Sequence, residues 1–302
     1  MHGGTDYTTA VMIDDAVRRR LSELTDLAPL HQPKSLAALD AFSDLLPAVP
    51  AVACFDTAFH RTIPDEAALY AIPQRLSAQG IRRYGFHGLS HAYASRRACE
   101  VLGMPVDGSR VISCHLGAGA SLCAVRDGRS VDTTMGFTPL EGLVMATRSG
   151  SIDPGAVLWL QQHVGLSADD VATTLEQESG LRGLAGSSDL RTVEESAARD
   201  DERSRTALEV YLHRLAGGIA AMAAALAGVD VVVFTGGVGE NSAAIREWVA
   251  ERLSWLGVEI DGDRNAVAEP DCDISKRSAE VRSVVIAARE DLQMVREIST
   301  LP

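Results

Sequence analysis

The residues from Val111 to Thr134, VISCHLGAGASLCAVRDGRSVDTT, constrain the fold more strongly than any other stretch of the chain. Two turn signals, Leu116–Ser121 and Asp127-Gly128, separate three runs rich in apolar and β-branched residues. Asp-Gly is a strong signal for a two-residue hairpin. We predict a strand in each run: Val111–His115, Leu122–Arg126 and Ser130–Thr134. The stretch therefore predicts antiparallel sheet.

The turn at residues 117–120 has two interpretations. Its two glycines and two alanines let the backbone approach a ligand closely, and consecutive N–H groups can form a concave anion site. Alternatively, a plain hairpin needs glycine there only for its backbone conformation. The turn alone does not decide between a phosphate cradle and a simple hairpin.

Composition and charge narrow the class of protein. The 302 residues are 46% hydrophobic and 23% charged, as in globular proteins of one large or two medium domains. The net charge of −13 disfavours nucleic acid and anionic membranes as general partners, so an anionic substrate would need a local cationic pocket. The most apolar run, Leu215–Val229, is shorter than the roughly 20 residues that span a bilayer and predicts a core helix.

The cysteines and the opening residues favour a cytoplasmic location. None of the five cysteines has C-x-x-C or zinc-like spacing, which predicts reduced and mostly buried thiols. Cys114 and Cys123 are expected on adjacent strands, where they could touch. The first residues lack the basic start and apolar core of a signal peptide.

A second glycine-rich segment follows a predicted strand. Val229–Phe234 is a near-continuous apolar run, typical of a parallel strand covered on both faces. It leads into a glycine loop, Thr235–Ser242, and a predicted helix from Ala243 to Leu256. Strand, glycine loop and helix in this order are common at nucleotide and phosphate sites. The loop matches neither G-x-G-x-x-G nor G-x-x-x-x-G-K-[ST], which disfavours a Walker-type NTPase.

Positive charge and imidazole are concentrated in IRRYGFHGLSH, residues 81–91 of this acidic chain. His91 begins a predicted helix that runs to about Leu102, so a structural or capping role is the simpler interpretation for it. His87 lies beside glycines that can place its ring in a cleft, which favours a functional role.

Further candidates lie at loop positions. Asp56 follows the short predicted strand Ala51–Phe55, and carboxylates at such strand ends often contact ligands. Arg148 lies in Met135–Pro154, a long segment without helical or strand periodicity, and such loops are usually functional. A surface arginine is the simpler alternative, but its small polar neighbours favour anion binding. Gly180–Ser188 is predicted to be another flexible loop.

Several blocks together resemble the acetate kinase family, and the resemblance covers nearly the whole chain. The blocks are FDTAFH (55–60), RRYGFHGLSH (82–91), CHLGAGAS (114–121), VDTTMGFTPLEGL (131–143), TRSGSIDP (147–154), SSDLR (187–191) and TGGVGENS (235–242). This family belongs to the acetate and sugar kinase, Hsp70 and actin superfamily.

The resemblance implies an α/β fold of two ribonuclease-H-like domains with a cleft between them. The N-terminal domain is expected to be incomplete, with residues 1–56 and 291–302 as its remnant and residues 57–290 as the C-terminal nucleotide-binding domain. The implied reaction is reversible transfer of the γ-phosphoryl group of ATP to acetate, giving acetyl phosphate and ADP. The metal cofactor would be Mg²⁺ or Mn²⁺, and a cytoplasmic homodimer is implied by the family alone.

The resemblance also implies roles for individual residues. His87 and Arg148 match the pair that stabilises the transferring phosphoryl group, Asp56 matches the catalytic aspartate, and Glu290 matches a Mg²⁺ ligand. Because a carboxylate substrate is already ionised near neutral pH, we expect Asp56 to orient Mg²⁺-bound waters or Arg148 rather than act as a base. Leu30, Phe86 and Pro139 match the family positions that line the pocket for the acetate methyl group. Three segments match the family's ATP-binding positions: His115, Leu116, Gly117, Ala118 and Gly119; Asp189, Leu190 and Arg191; and Gly237, Val238, Gly239, Glu240 and Asn241.

The sequence departs from the family pattern most strongly at its start. The family has an N-x-G-S-S-S-x-K segment well upstream of the H-G-G found here at residues 2–4. The missing part would hold the first strands of the N-terminal domain, a second Mg²⁺ ligand (an asparagine), a phosphate-binding Ser/Lys set and an arginine for the substrate carboxylate. One hypothesis is a misplaced start: the family often has valine where Met1 stands, and because some bacterial starts use a valine codon, the true start would lie further upstream. Because a sheet without its opening strands exposes unpaired edges, we expect residues 1–302 alone to be poorly stable and nearly inactive.

Smaller departures leave two alternatives open. Ala118 replaces an asparagine near ATP, Arg289 replaces an asparagine beside Glu290, and Ala146 and Ser151 replace the glycine and aspartate that flank T-R-S-G. Together these changes favour an altered substrate or weak activity. The alternatives are a propionate or butyrate kinase of the same family, and a degenerate, non-catalytic nucleotide-binding fragment.

Overall fold

The computed structural model describes residues 1–27 and 32–301, which form a two-stranded sheet, a six-stranded sheet and the helices around them. The strands are β1 (Val11–Met12), β2 (Val52–Ala53), β3 (Arg110–Leu116), β4 (Ala120–Arg126), β5 (Arg129–Thr133), β6 (Val231–Thr235), β7 (Cys272–Asp273) and β8 (Arg282–Val285). The helices are α1 (Asp15–Glu23), α2 (Gln32–Leu45), α3 (Asp65–Ala68), α4 (Gln74–Ser77), α5 (Gly88–Leu102), α6 (Pro154–Trp159), α7 (Ala168–Gln177), α8 (Gly180–Ala185), α9 (Leu190–Ala198), α10 (Glu202–Leu226), α11 (Gly236–Asn241), α12 (Ala243–Arg252), α13 (Gly262–Ala266) and α14 (Glu290–Ile298). Single turns of 3₁₀ or π helix lie at Leu24–Leu27, Ala58–Thr62, Leu160–Val164 and Ser254–Leu256.

The larger sheet has the strand order β5-β4-β3-β6-β8-β7. β3 and β6 pair in parallel, with Val111 opposite Val231 and His115 opposite Thr235. β8 pairs in parallel with the other side of β6, while β4 and β5 continue from β3 in antiparallel fashion. The three strands predicted in the opening stretch, and the apolar strand before the second glycine segment, are confirmed to within two residues at each end.

The larger sheet separates two apolar cores because successive side chains of a strand point to opposite faces. Ile112 and Cys114 face the core that α10 covers, whereas Val111 and Cys123 face the core under α5. The register places Cys114 opposite Leu122 rather than Cys123. The expectation that Cys114 and Cys123 touch is therefore wrong. The prediction of reduced thiols is confirmed, since all five cysteines are free and four are buried.

The predicted flexible loop Gly180–Ser188 contains a helix instead, α8. The N–H of Leu181 donates to the carbonyl oxygen of Met145 at 2.9 Å, and the N–H of Arg182 donates to that of Ala146 at 3.0 Å. These bonds come from a segment more than thirty residues earlier in the chain. The loop prediction was wrong because tertiary hydrogen bonds outweigh the low helix propensity of glycine.

The predicted glycine loop Thr235–Ser242 is also largely helical, as α11. The Glu240 carboxylate accepts a hydrogen bond from the N–H of Gly236 at 3.0 Å, which closes the turn. By contrast, the long segment Met135–Pro154 contains no regular helix or strand before α6 starts at its last residue, as predicted.

The predicted core helix is confirmed as part of α10, which buries its apolar side against β4. Within residues 1–27 and 32–301, no helix has the length and apolar character needed to cross a membrane.

A smaller layer lies beside the larger sheet. β1 and β2 pair antiparallel, and α1 and α2 pack near them around Leu21, Leu36 and Phe55. The last helix, α14, packs against α5 and contributes Met294 to a small apolar cluster with Leu89. The two ends of the described chain therefore lie close together beside α5.

The carboxyl ends of β3 and β6 approach each other closely. Gly236 follows β6 with a φ of +79°, and a Cβ at this position would lie 2.8 Å from the carbonyl oxygen of Leu116. The next residue, Gly237, has open space within 4 Å of a Cβ position. Only glycine fits the first position, both sterically and by its backbone conformation.

We expect Gly236→Ala to lower the free energy of unfolding by roughly 1–3 kcal/mol, because the substitution adds backbone strain and a clash with Leu116. Gly237→Ala is the matched control, and in the open interior of α11 it should stabilise the fold by about 0.5–1 kcal/mol. Urea unfolding of both variants measures the difference. Equal unfolding midpoints would contradict the assignment of a steric role to Gly236.

Candidate active site

A cavity of 590 Å³ opens at the carboxyl ends of β3 and β6. Most of the predicted nucleotide segments line it: Gly117, Ala118, Asp189, Leu190, Arg191, Gly237, Val238 and Asn241. Three segments that are far apart in the sequence therefore meet at one place.

The remaining predicted nucleotide residues lie around this cavity without lining it. Leu116 is buried in the core, and Gly239 packs against the backbone of Phe234. The Glu240 carboxylate accepts from the N–H groups of Gly236 and Ala288, both at 3.0 Å, so it ties α11 to the segment after β8. The positions of these residues indicate structural support for the cavity wall.

Other residues line the cavity although sequence reasoning did not single them out as ligands. Glu194 accepts a hydrogen bond from the Ser242 hydroxyl at 2.8 Å, and burial raises the pKa of Glu194. The Tyr211 hydroxyl is buried without a hydrogen-bond partner in the described part of the chain. Glu194 and Tyr211 lie on helices whose pattern is that of ordinary core packing, so the sequence offered no signal for either.

Asp56 holds the backbone of His87 in a left-handed conformation. The N–H of His87 donates to Asp56 Oδ2 at 2.8 Å, and the N–H of Gly88 donates to the Asp56 carbonyl oxygen at 2.8 Å. His87 has a φ of +57°, which is costly for a residue with a side chain. Burial alone would raise the pKa of Asp56, but its neighbours, His87 first among them, outweigh burial and lower that pKa.

The His87 ring belongs to a group of packed imidazoles. It stacks on the His115 ring with 4.3 Å between centroids, and its Nδ1 lies 2.9 Å from the hydroxyl of Ser121. Burial, followed by His115 and Arg148, lowers the pKa of His87 to about 3. Burial also lowers the pKa of His115. Both rings are therefore neutral at physiological pH.

His91 lies inside α5 and is fully buried, with Nδ1 2.9 Å from Ser113 Oγ and Nε2 2.8 Å from Ser121 Oγ. Its side chain does not cap the helix, because His87 occupies the N-cap position. The geometry thus favours the structural interpretation of His91 and excludes capping.

Arg148 reaches inward rather than into solvent. Its Nη1 donates to the carbonyl oxygen of Pro139 at 3.3 Å, and burial lowers its pKa. A Cβ on Gly119 would lie 3.3 Å from Arg148 Nη1 and 3.4 Å from His87 Nε2. Among residues 1–27 and 32–301, no carboxylate forms an ion pair with Arg148 within 4 Å. The Arg148 side chain is half-buried, and a guanidinium that lacks a carboxylate partner in the described ranges and lies close to His87 suits an anion.

The glycine turn between these groups keeps two backbone donors available. The N–H of Gly117 donates to the Gly119 carbonyl oxygen at 3.0 Å, and the Ala118 carbonyl oxygen accepts from Ala146 at 3.1 Å. The N–H groups of Ala118 and Gly119 form no hydrogen bond with the part of the chain that the structure describes. This arrangement favours the cradle interpretation of the turn over the plain hairpin.

The predicted residues of the substrate pocket are only partly brought together. Phe86 is buried next to His87, and its carbonyl oxygen accepts from His60 Nε2 at 3.0 Å. Pro139 contacts Arg148 through its carbonyl oxygen. Leu30 lies outside the described residues.

The predicted metal ligand Glu290 is the first residue of α14 and is half-buried. Burial, followed by the charge of Asp56, raises the pKa of Glu290. Within the described ranges, no group of three or more His, Cys, Asp or Glu residues could hold a metal by itself. A pair of nearby carboxylates nevertheless fits Mg²⁺, which phosphoryl-transfer sites hold by one or two carboxylates together with phosphates and waters.

A mixed sheet, a cavity at the ends of its parallel strands, and a guanidinium that has no carboxylate partner among the described residues indicate an α/β protein with a site for a phosphorylated ligand. The model of the acetokinase family matches residues 1–296. The chain therefore belongs to the acetokinase family, and the resemblance noted in the sequence is confirmed.

Relatives and solved structures agree with this assignment. The chain is 49% identical to acetate kinase of Microcystis aeruginosa over 98% of its length and 74% of the relative's length. It is 46% identical to acetate kinase of Shouchella clausii over 98% of this chain and 76% of the relative. The crystal structure of Porphyromonas gingivalis acetate kinase matches with a TM-score of 0.93 and 40% identity, over 99% of this chain and 76% of that one. The crystal structure of a propionate kinase from Francisella tularensis matches with a TM-score of 0.93 and 39% identity, over 98% of this chain and 76% of that one.

The buried His60 provides a prediction on pH and stability. Burial lowers the pKa of His60 to about 4 from an ordinary value of 6.5, so between these values the unfolded chain binds a proton that the native protein does not. Stability from His60 is therefore complete above pH 6.5 and is lost as the pH falls through about 4. In His60→Gln, the decline in the free energy of unfolding from pH 6.5 to 4.5 should be shallower by about 1 kcal/mol per pH unit.

The exposed His163 provides the control for this measurement. The slope of His163→Gln should equal that of the unmodified chain, as measured by urea unfolding across the same pH range. An unchanged slope in His60→Gln would contradict the assignment of a neutral, buried imidazole.

Proposed function

We propose that this chain transfers the γ-phosphoryl group of ATP reversibly to acetate, giving acetyl phosphate and ADP. The observation that carries the proposal is the convergence of Arg148 Nη1 and His87 Nε2 on Gly119, beside the cavity at the ends of β3 and β6. Membership of the acetokinase family, and relatives named acetate kinase at 46–49% identity, support a carboxylate as the phosphoryl acceptor.

The cavity is the proposed site of the nucleotide. Its volume of 590 Å³ lies in the range of small-molecule pockets, and its lining combines apolar residues with polar and charged ones. The adenosine group would lie against Asp189–Arg191 and α11. The phosphates would then extend along the N–H groups of Ala118 and Gly119 toward Arg148 and His87.

Arg148 and His87 are proposed to stabilise the phosphoryl group during transfer. An acetate oxygen attacks the γ-phosphorus, the bond to the bridging oxygen of ADP breaks, and ADP leaves with the electron pair. Because charge gathers on the phosphoryl oxygens, the protein contributes positioning and charge neutralisation more than covalent chemistry. The guanidinium supplies a full positive charge, and the neutral imidazole supplies an N–H donor.

Asp56 is proposed to position His87 rather than to move a proton. An acetate substrate with a reference pKa near 4 carries no proton to remove at pH 7. The Asp56 carboxylate is instead occupied by the N–H of His87, whose left-handed backbone it supports. Besides burial, the charge of Asp56 contributes to the raised pKa of Glu290, and the two carboxylates together would hold Mg²⁺. A bound Mg²⁺ would neutralise charge on the phosphate oxygens.

Phe86 and Pro139 are proposed to enclose the methyl group of acetate. The similarity to a propionate kinase with a TM-score of 0.93 keeps propionate as the second candidate substrate. A single methylene in a hydrophobic pocket changes binding by about 1–3 kcal/mol, so the pocket can separate the two acids by roughly tenfold or more.

The assembly and location remain proposals that the family supports. We propose a cytoplasmic homodimer, with residues 1–56 and 291–302 as the N-terminal unit and residues 57–290 as the nucleotide-binding unit. The separate apolar cluster around Leu21, Leu36 and Phe55 supports a distinct N-terminal unit.

A coupled assay with ATP, Mg²⁺ and a series of short carboxylates tests the proposed reaction. We expect acetate to have the highest kcat/KM, at least about tenfold above propionate because of the extra methylene. The absolute rate tests our expectation of low activity for residues 1–302. A preference for propionate or butyrate would favour the alternative substrates. ADP binding without turnover of any carboxylate would favour a non-catalytic nucleotide-binding protein.

Arg148→Gln should lower kcat roughly 10²–10³-fold, because it removes a charged donor aimed at the transferring group. The matched control is Arg252→Gln, which removes an arginine paired with Glu209 at the surface. Its kcat should stay close to that of the unmodified chain. Similar kcat values for the two variants would contradict the role of Arg148.

A further inference from the structure

Four histidines around the site share one hydrogen-bond pattern, in which Nδ1 lies beside a serine hydroxyl; His60 and His91 are buried, and His87 and His115 are half-buried. The pairs are His60 with Ser130, His87 with Ser121, and His91 with Ser113, all at 2.9 Å, and His115 with Ser90 at 2.8 Å. A hydroxyl can either donate to Nδ1 or accept from it, so each pair can exist in two tautomers. The tautomer decides whether Nε2 carries a hydrogen or a lone pair.

His60 has a defined tautomer. Its Nε2 lies 3.0 Å from the carbonyl oxygen of Phe86, which can only accept a hydrogen bond. Nε2 therefore carries the hydrogen, and the hydroxyl of Ser130 donates to Nδ1.

Ser113 determines the direction of the hydrogen bonds that lead to His87. Its hydroxyl is fully buried, and His91 Nδ1 is its sole hydrogen-bond partner within residues 1–27 and 32–301. A buried hydroxyl hydrogen without an acceptor is costly, so Ser113 donates to His91 Nδ1. His91 Nε2 then carries a hydrogen and donates to Ser121 Oγ.

Ser121 passes this direction on to His87. Its oxygen accepts from His91, so its single hydrogen donates to His87 Nδ1. The ring hydrogen of His87 is therefore on Nε2, which lies close to Gly119 and Arg148. The opposite direction would leave the Ser113 hydrogen unpaired and would present a lone pair to the same place.

Ser90 has the same effect on His115. Its hydroxyl is buried, and among the described residues it contacts His115 Nδ1 alone. The Ser90 hydroxyl therefore donates to His115 Nδ1, and His115 Nε2 carries the ring hydrogen. This nitrogen lies beside Gly117, since a Cβ on Gly117 would be 3.9 Å from it. The two stacked rings thus present two N–H groups to the glycine turn.

We propose that Ser121 and Ser90 are positioning residues that hold His87 and His115 as Nε2–H tautomers, so that both neutral rings donate hydrogen bonds to the phosphate oxygens of a nucleotide. The donation to phosphate rests on the proposed function, whereas the tautomers rest on the hydrogen bonds alone. In a neutral ring the other tautomer would direct the Nε2 lone pair at the anion instead of an N–H donor.

Nitrogen NMR of the chain labelled with ¹⁵N-histidine tests the tautomers without any ligand. Protonated and unprotonated ring nitrogens have well-separated shifts, and single His87→Gln and His115→Gln variants assign the signals. We expect Nε2 to be protonated and Nδ1 unprotonated in both rings. The reverse pattern in either ring of the unmodified chain would overturn the proposal for that ring.

Ser121→Ala tests whether the Ser121 hydroxyl sets the tautomer of His87, and Ser130→Ala is the matched control. Both remove a buried hydroxyl from a histidine Nδ1, but only His87 loses the group that selects its tautomer, since Phe86 still fixes His60. Ser121→Ala should shift His87 toward the Nδ1–H form, and Ser121→Thr, which keeps a hydroxyl, should restore the original form. An unchanged His87 tautomer in folded Ser121→Ala would overturn the role of Ser121.

Steady-state kinetics of the same variants tests the consequence for the phosphoryl group. Ser121→Ala should lower kcat roughly three- to tenfold, the range expected for one neutral hydrogen bond, with little change in KM for acetate. Ser130→Ala should lower stability without this effect on kcat. Equal loss of kcat in both variants would overturn the catalytic consequence. If the unmodified chain has no kinase activity, the proposed function fails while the NMR result still decides the tautomers.

Discussion

The parallel pairing of β3 with β6 is the constraint on which the site depends. Neighbouring parallel strands end at the same edge of a sheet, so the register that places His115 opposite Thr235 also brings the turn after β3 against the start of α11. Gly236 touches the Leu116 carbonyl at a distance that excludes any side chain. The cavity between these segments is therefore a consequence of strand pairing, and the loops only complete its walls.

The sequence predicted the strands well because their signals are local. Apolar, β-branched runs and an Asp-Gly turn specify β3, β4 and β5 within a few neighbouring residues. The sequence did not predict the helices α8 and α11. Hydrogen bonds to Met145 and Ala146, which are distant in the sequence, stabilise α8, and a bond from the Gly236 N–H to the Glu240 carboxylate stabilises α11. Cys114 and Cys123 do not touch for another reason. They lie on adjacent strands, but successive side chains point to opposite faces of the sheet, and the register places these two on different faces.

The candidate site was predictable to a similar, limited degree. His87 and Arg148 could be identified from their glycine-rich and small polar neighbours, and the structure places both beside Gly119. The serines that contact the imidazoles could not, because Ser121 lies 34 residues from His87 and Ser90 lies 25 residues from His115. A buried serine on a strand or helix looks like any small core residue until the fold shows what it faces.

Burial of the imidazoles also explains how an acidic chain can accept two anionic substrates. The ring of His87 lies 4.3 Å from that of His115 and 6.4 Å from that of His91, so charged rings would repel one another strongly. Burial lowers their pKa values and leaves Arg148 as the full positive charge beside Gly119. The rings then contribute oriented N–H dipoles, which attract phosphate oxygens without competing for protons. Because transfer between phosphate and carboxylate moves no proton, a site of fixed N–H donors and a guanidinium suits the electrostatic needs of the reaction.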